Sequence, residues 1–201
     1  WSIGNEFGEG PGIIKAANWA RKYDPTRPIH CESSSAHGTG QAADINSRMY
    51  ARPWDLERIA QSTPEKPFLL CEYSHAMGNS NGTLKEYWAK FYKDNRVQGG
   101  FVWDWMDQGL TQPVPEEYRN SSGLEEFYAY GGWWEDERDV HTNRDFCMNG
   151  LVDSGCEPKP GLHHLKYWQQ NVKVEPVNTA EGEFSVKNRF YFTNLDRKSV
   201  V

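Results

Sequence analysis

The chain has 201 residues, 37% hydrophobic and 25% charged, which sets it at one domain of ordinary size with room for part of another. A formal charge of −6 argues against a nucleic-acid partner, whose phosphate backbone calls for a basic patch. No apolar stretch approaches the roughly 20 residues of a membrane helix.

The elements follow one another in a regular order. "WSIGNE" (1–6) reads as a short strand ending in a polar pair, followed by the glycine-rich loop "FGEGPG". Ile13, Ile14, Ala17 and Ala20 then recur at helical spacing, with Pro25 beyond the end. "IHCESS" reads as a second strand, ending on Glu32, and "ADINSRMYA" as a weaker third, ending at Tyr50. "WDLERIAQ" is a short helix stopped before Pro64 and Pro67. "FLLCEYS" is the clearest strand, and the helix "TLKEYWAKFYKDN" sets Leu84, Tyr87, Trp88, Phe91 and Tyr92 on one stripe. "VQGGFVWDWMD" is a further strand with aromatic and acidic residues at its end.

From 107 to about 150 the chain reads as irregular, and loops of that length are usually functional. "PGLHHLKYWQQN" is a helix with Pro160 near its start. Beyond it "EFSVKNRFYF" alternates as β-structure and no helix follows, which is how a β-sandwich begins.

Strand, loop and helix alternating at this spacing predict βαβ units and a parallel sheet, with the chemistry in the loops at the carboxyl ends of the strands. Glu6, Glu32, Tyr50, Glu72 and Trp103 fall at such ends. Four or five strands make about half of an eight-stranded barrel.

Two of these carboxylates suit glycosidic cleavage, in which one carboxyl group protonates the leaving oxygen and another acts from the opposite side of the sugar. Glu6 and Glu72 lie far apart in sequence, so only a fold that gathers distant strand ends could pair them. Asn5 offers an amide for a sugar hydroxyl. The bland alternative is that each Glu is a solvated rim residue, and an aromatic content of 14% fits a rich core as well as a sugar-stacking surface.

Other motifs fare worse. "HGTG" (37–40) lacks a nucleophilic serine in an elbow, and "GEGPG" is too loose for a phosphate loop. His163 and His164, adjacent on a helix, point different ways and cannot share a metal. The acidic run "EDERD" (135–139) reads as a solvated loop. Cys31, Cys71, Cys147 and Cys156 show no CxxC spacing and read as reduced thiols.

"WSIGNE", "CEYSHAMGNS" (71–80), "GGFVWDWMDQGL" (99–110), "YGG" (130–132) and "RDFCMNGLV" (144–152), in that order, resemble the β-galactosidases of glycoside hydrolase family 2. The resemblance covers nearly the whole chain. It implies an α/β fold: part of a (β/α)8 TIM barrel, about strands 4 to 8, over residues 1–172, with the start of an immunoglobulin-like β-sandwich over 173–201.

It also implies retaining hydrolysis of terminal β-galactosides such as lactose. Glu6 would be the acid/base and Glu72 the nucleophile, oriented by Tyr50. Asn5 and His75 would bind galactosyl hydroxyls, and Trp103 would floor the sugar. The backbone oxygen of Phe146 and the side chain of Asn149 would hold sodium near the 6-hydroxyl, and Glu6 would be one ligand of magnesium. The remaining ligands of both ions, two histidines and the first barrel strands are expected upstream of Trp1.

The full-length protein is expected to be a homo-oligomer. No basic-then-apolar leader is seen, which decides little for a chain that starts at Trp1 inside an apparent strand; the cytoplasm is favoured, and the isolated piece is expected to be inactive. "YGGWWED" departs from the "YGGDFGD" of some family members at the outer side of the pocket. Three rivals remain: a β-glucuronidase-like enzyme, which would want a cation for the sugar carboxylate, a non-catalytic carbohydrate-binding protein, and a purely structural barrel half whose partner chain supplies the rest.

Overall fold

A computed structural model describes residues 1–134 and 144–197. The predicted run 135–139 therefore lies outside the described residues. Among the described residues six α-helices and seven strands follow in chain order: α1 (Pro11–Tyr23), α2 (Glu32–His37), β1 (Asn46–Met49), α3 (Leu56–Ser62), β2 (Phe68–Tyr73), α4 (Leu84–Lys93), β3 (Val97–Val102), β4 (Leu110–Pro113), α5 (Glu116–Ser122), β5 (Glu126–Ala129), α6 (Pro160–Trp168), β6 (Val172–Asn178) and β7 (Glu183–Asn188).

The strands β1, β2 and β3 form a parallel sheet in that order. Two short segments extend it before β1. Ser2 pairs in parallel with His30, with Ile3 N–H donating to His30 O at 3.0 Å and His30 N–H to Trp1 O at 2.7 Å. Asp44 N–H then reaches Ile29 O at 2.8 Å, linking the 29–31 segment to the approach of β1. On the far side, the chain after β3 pairs in parallel with 149–152 through Asp104 N–H to Asn149 O (2.8 Å) and Val152 N–H to Trp105 O (3.0 Å).

The result is an ordered array of parallel segments with helices on one face, as the alternation of elements predicts. β2 shows why it holds together. Phe68, Leu70 and Tyr73 are buried against Leu56 of α3 and Leu84, Tyr87 and Phe91 of α4. Tyr73 meets Tyr87 and Phe91 edge-on, at ring separations of 5.0 and 5.8 Å. Burial pushes the Tyr73 phenol up to about 12. A smaller cluster joins Ala17 of α1 to Ile29, Cys31, Ala42 and Ala43, with Ile13, Ile14 and Ala20 packed beside it, the residues whose periodicity predicts α1. Pro11 opens that helix, where its missing N–H costs nothing.

Three expectations need correction. "WSIGNE" and "IHCESS" are not full strands: each contributes one bridge, and Glu32 begins α2 instead of closing a strand. The 107–150 stretch is not wholly irregular, since β4 and β5 form an antiparallel hairpin with α5 between them. β6 and β7 form a second antiparallel hairpin, starting at Val172, with Val174 opposite Val186 and Pro176 opposite Phe184. His164 accepts a hydrogen bond from Trp168 Nε1 within α6, and the four cysteines are free, as expected.

Candidate active site

Asn5, Glu6, Tyr50, Glu72, His75, Trp103 and Phe146 line one cavity of ≈ 420 Å³. Every member sits just beyond, or at the end of, one of the parallel segments or in the loop before 149–152. The sheet thus gathers residues that the sequence keeps far apart.

Glu72 is the best-held group in it. Tyr50 OH donates to Glu72 Oε2 at 2.9 Å, and Asn5 Nδ2 donates to Glu72 Oε1 at 3.0 Å. Tyr50 N–H also donates to Glu72 O at 2.8 Å, so the backbone fixes the register that brings the phenol to the carboxylate. Burial, followed by the hydrogen bond to Glu72 and its charge, holds the Tyr50 phenol well above the usual tyrosine range. It therefore stays a donor. Asn5, expected to serve a sugar hydroxyl, here spends one N–H on Glu72.

The loop that carries Glu6 is anchored from behind. Phe7 N–H donates to Ser33 Oγ at 2.8 Å, and Glu9 accepts from Ser34 Oγ and Thr39 N–H. These bonds hold the Glu9 carboxyl at about 2, the Ser34 hydroxyl first among them, so it is charged at any ordinary pH. Glu6 and Tyr50 both adopt left-handed backbone conformations, φ 54° and 52°. A non-glycine residue there is strained by about 1 to 3 kcal/mol, and such strain clusters at sites whose surroundings impose it.

His75 lies 5.2 Å from the Phe146 ring and 6.1 Å from Tyr50, centroid to centroid. Its Nε2 is buried with no partner, as is Oδ1 of Asn149. Asn149 is the one predicted residue that does not line the cavity, and it is 1% exposed. Conversely, the Phe146 side chain, singled out in the sequence only for its backbone oxygen, forms part of the wall. Nothing in the sequence pattern marks that ring.

An unsatisfied buried amide oxygen costs free energy unless something binds it, so Asn149 Oδ1 fits a cation ligand. Magnesium fits less well. Among the described residues no group of three or more His, Cys, Asp or Glu side chains could hold a metal, and Glu6 alone does not make a site.

Comparison with known proteins gives the family. The family description "glycosyl hydrolases family 2, TIM barrel domain" matches residues 1–174. The chain belongs to glycoside hydrolase family 2. Similar proteins in this family include the β-galactosidases of Priestia megaterium (41% identical over 196 residues, 98% of the chain and 18% of the relative) and Lactococcus lactis (36% over 214 residues, 100% and 20%). The chain thus spans about a fifth of the length of the curated relatives it matches.

Solved structures of a family 2 member from Bacteroides cellulosilyticus and a β-D-glucuronidase from Dictyoglomus thermophilum each superpose at a TM-score of 0.53. They are 17% and 18% identical and cover 88% and 85% of this chain, and 20% and 31% of their own. They support a TIM-barrel fold for the family 2 chain and nothing finer.

Proposed function

We propose that this family 2 chain is the catalytic part of a retaining β-galactosidase that releases terminal β-galactose from β-galactosides such as lactose. The observation that carries the reading is the convergence of Glu6 and Glu72 on one cavity, with both oxygens of Glu72 held by donors. The β-galactosidase relatives support the galactosyl choice over the glucuronide alternative.

Retaining cleavage places two carboxyl groups about 5 to 5.5 Å apart across the anomeric carbon. Tyr50 and Asn5 aim Glu72 at that carbon before substrate arrives, which lowers the reorganisation needed in the transition state. Glu6 gives its proton to the leaving oxygen as Glu72 forms the glycosyl ester. With the Glu72 charge consumed in that bond, Glu6 takes a proton from water, which attacks and releases galactose with its configuration retained. The indole of Trp103 supports the apolar face of the ring, and His75 Nε2, buried and unpartnered, offers a hydrogen bond to a sugar hydroxyl. Asn149 Oδ1 and the Phe146 carbonyl would hold a monovalent cation that steadies the 6-hydroxyl, and Glu6 would contribute one ligand to magnesium completed from outside this chain.

In this reading residues 1–172 supply about strands 4 to 8 of the barrel, and the β6–β7 hairpin opens an immunoglobulin-like sandwich over 173–201. The chain by itself is inactive. The test is hydrolysis by the whole protein of matched galactoside and glucuronide substrates. Preference for the galactoside, lost in Glu6→Gln and Glu72→Gln, supports the assignment; equal or greater glucuronide turnover overturns it.

A further inference from the structure

The two carboxylates of the cavity are held by different means. Glu72 is fixed through its own oxygens, by Tyr50 and Asn5. Glu6 is fixed through its chain neighbours. Asn5 on one side is tied to Glu72, and Phe7 on the other donates its N–H to Ser33 Oγ at 2.8 Å. The Phe7 ring packs beside the cluster around Ala17, so close over Gly4 that a Cβ there would collide with it. Between these ties Glu6 takes its left-handed conformation, φ 54°.

Ser33 lies in the first turn of α2 and is 0% exposed, so no water can stand in for its hydroxyl. Its own hydrogen goes to Glu32 Oε2 at 3.3 Å, which leaves its lone pairs to accept from Phe7 N–H. Glu32 is the carboxylate that the sequence places at a strand end and that the cavity does not use. Buried behind Ser33, it sets which way that hydroxyl faces. Further along, Ser34 Oγ and Thr39 N–H hold Glu9, so the loop is stitched to α2 and the turn after it at a second point.

We infer that Ser33, oriented by Glu32, is a positioning residue for the acid/base Glu6. This rests on the reading of Glu6 as the group that protonates the leaving oxygen. Proton transfer needs its carboxyl within hydrogen-bond reach of that oxygen. A strained backbone keeps its conformation only while its surroundings impose it. Without the Ser33 hydroxyl the Phe7 N–H loses its acceptor, the backbone at Glu6 relaxes, and the carboxyl moves off the leaving oxygen. The hydrogen bonds that aim Glu72 do not run through Ser33, so the loss falls on proton donation.

The experiment compares kcat/KM for methyl β-galactoside and for 2,4-dinitrophenyl β-galactoside in the whole protein. The variants are Ser33→Ala, Ser33→Thr and Glu6→Gln, with Ser33→Cys, which fills the same space but accepts weakly, where alanine prevents folding. As Glu72 bonds to the anomeric carbon, the bond to the leaving oxygen breaks. The methyl aglycone takes the Glu6 proton and departs as methanol, whereas dinitrophenolate departs as a stable anion without it. The methyl-to-dinitrophenyl ratio is expected to fall roughly tenfold in Ser33→Ala and about 100-fold in Glu6→Gln, and to recover in part in Ser33→Thr, which keeps the hydroxyl. A ratio unchanged in Ser33→Ala or Ser33→Cys, while Glu6→Gln lowers it, overturns the positioning role alone, because general damage to the fold lowers both substrates together. A ratio unchanged in Glu6→Gln, or a wild type that hydrolyses neither substrate, overturns the reading of the cavity and the positioning role with it.

Discussion

Glu72 presents a carboxylate whose two oxygens already accept hydrogen bonds, from Tyr50 and from Asn5. Removing the phenol by Tyr50→Phe keeps the ring but deletes one donor. In the whole protein kcat for a galactoside is expected to fall about 100-fold, the usual cost of one preorganised donor, with the fold intact by circular dichroism. Retention of full kcat would deny Tyr50 its orienting role. His30 sits deeper in the array, between Ser2 Oγ and Ser47 Oγ at 2.9 Å each. Burial lowers its pKa from 6.5, with the Glu32 charge opposing. The imidazole is therefore kept neutral when folded, while the unfolded chain takes up a proton below 6.5. Stability should fall as pH drops from 6.5 toward the depressed folded value, and His30→Gln should flatten that part of a denaturation-midpoint profile. An unchanged slope in the variant would exclude His30 as its source. Cys71, next to Glu72, has its thiol pushed up to about 11 by burial. It should resist alkylation at neutral pH under conditions that modify the exposed Cys156, as read by peptide mass spectrometry; equal modification would show the thiol to be more reactive than its surroundings allow.

At the scale of elements, the 149–152 segment follows β3 in the parallel array, and a partly buried ion pair fastens it. Lys159, just before α6, reaches both oxygens of Asp107 at 2.8 and 3.1 Å, and Gly150 N–H donates to Asp107 Oδ1 at 2.6 Å. A side chain at Gly150 would collide with the backbone of Met106 and Asp107, so the chains approach as closely as glycine allows. Lys159→Met keeps the bulk but strands the Asp107 charge, and should destabilise the protein by about 3 kcal/mol in urea unfolding. Loss of less than about 0.5 kcal/mol would mean that the pair contributes no more than a surface ion pair does. The elements differ in how far the sequence reveals them, for physical reasons. α4 and β2 are plain, because each buries one face and the 3.6 or 2 periodicity follows. The β4–β5 hairpin is hidden: β4 contains Gln112 and Pro113, and α5 between them buries nothing, so neither leaves an apolar period to read. Glu32 misleads because a helix, not a strand end, receives it. Its carboxylate is 2% exposed behind the Ser33 hydroxyl.

Across the whole molecule, the parallel array accounts for the site. The first segment, β1, β2 and β3 each deliver one or two residues to the same end: Asn5 and Glu6, Tyr50, Glu72 and His75, then Trp103; the 29–31 segment delivers none. Alternating elements in the sequence are enough to predict the sheet and to place these residues at strand ends. They do not predict that Glu6 should meet Glu72, which depends on how the strand ends converge in three dimensions; only the resemblance of the flanking motifs points there. Asn149 differs from the rest, since its motif predicts a role in the site and it is buried without lining the cavity. The inner side of the array, lined by Trp1, His30, Leu69, Cys71 and Phe101, holds a cavity of ≈ 320 Å³, with Phe101 67% exposed. The central claim is that Glu72 is the nucleophile. It is tested most directly by inactivating the whole protein with a 2-deoxy-2-fluoro-β-galactosyl reagent and locating the label by peptide mass spectrometry. The account predicts one galactosyl residue esterified to Glu72; inactivation with the label on another carboxylate would contradict it.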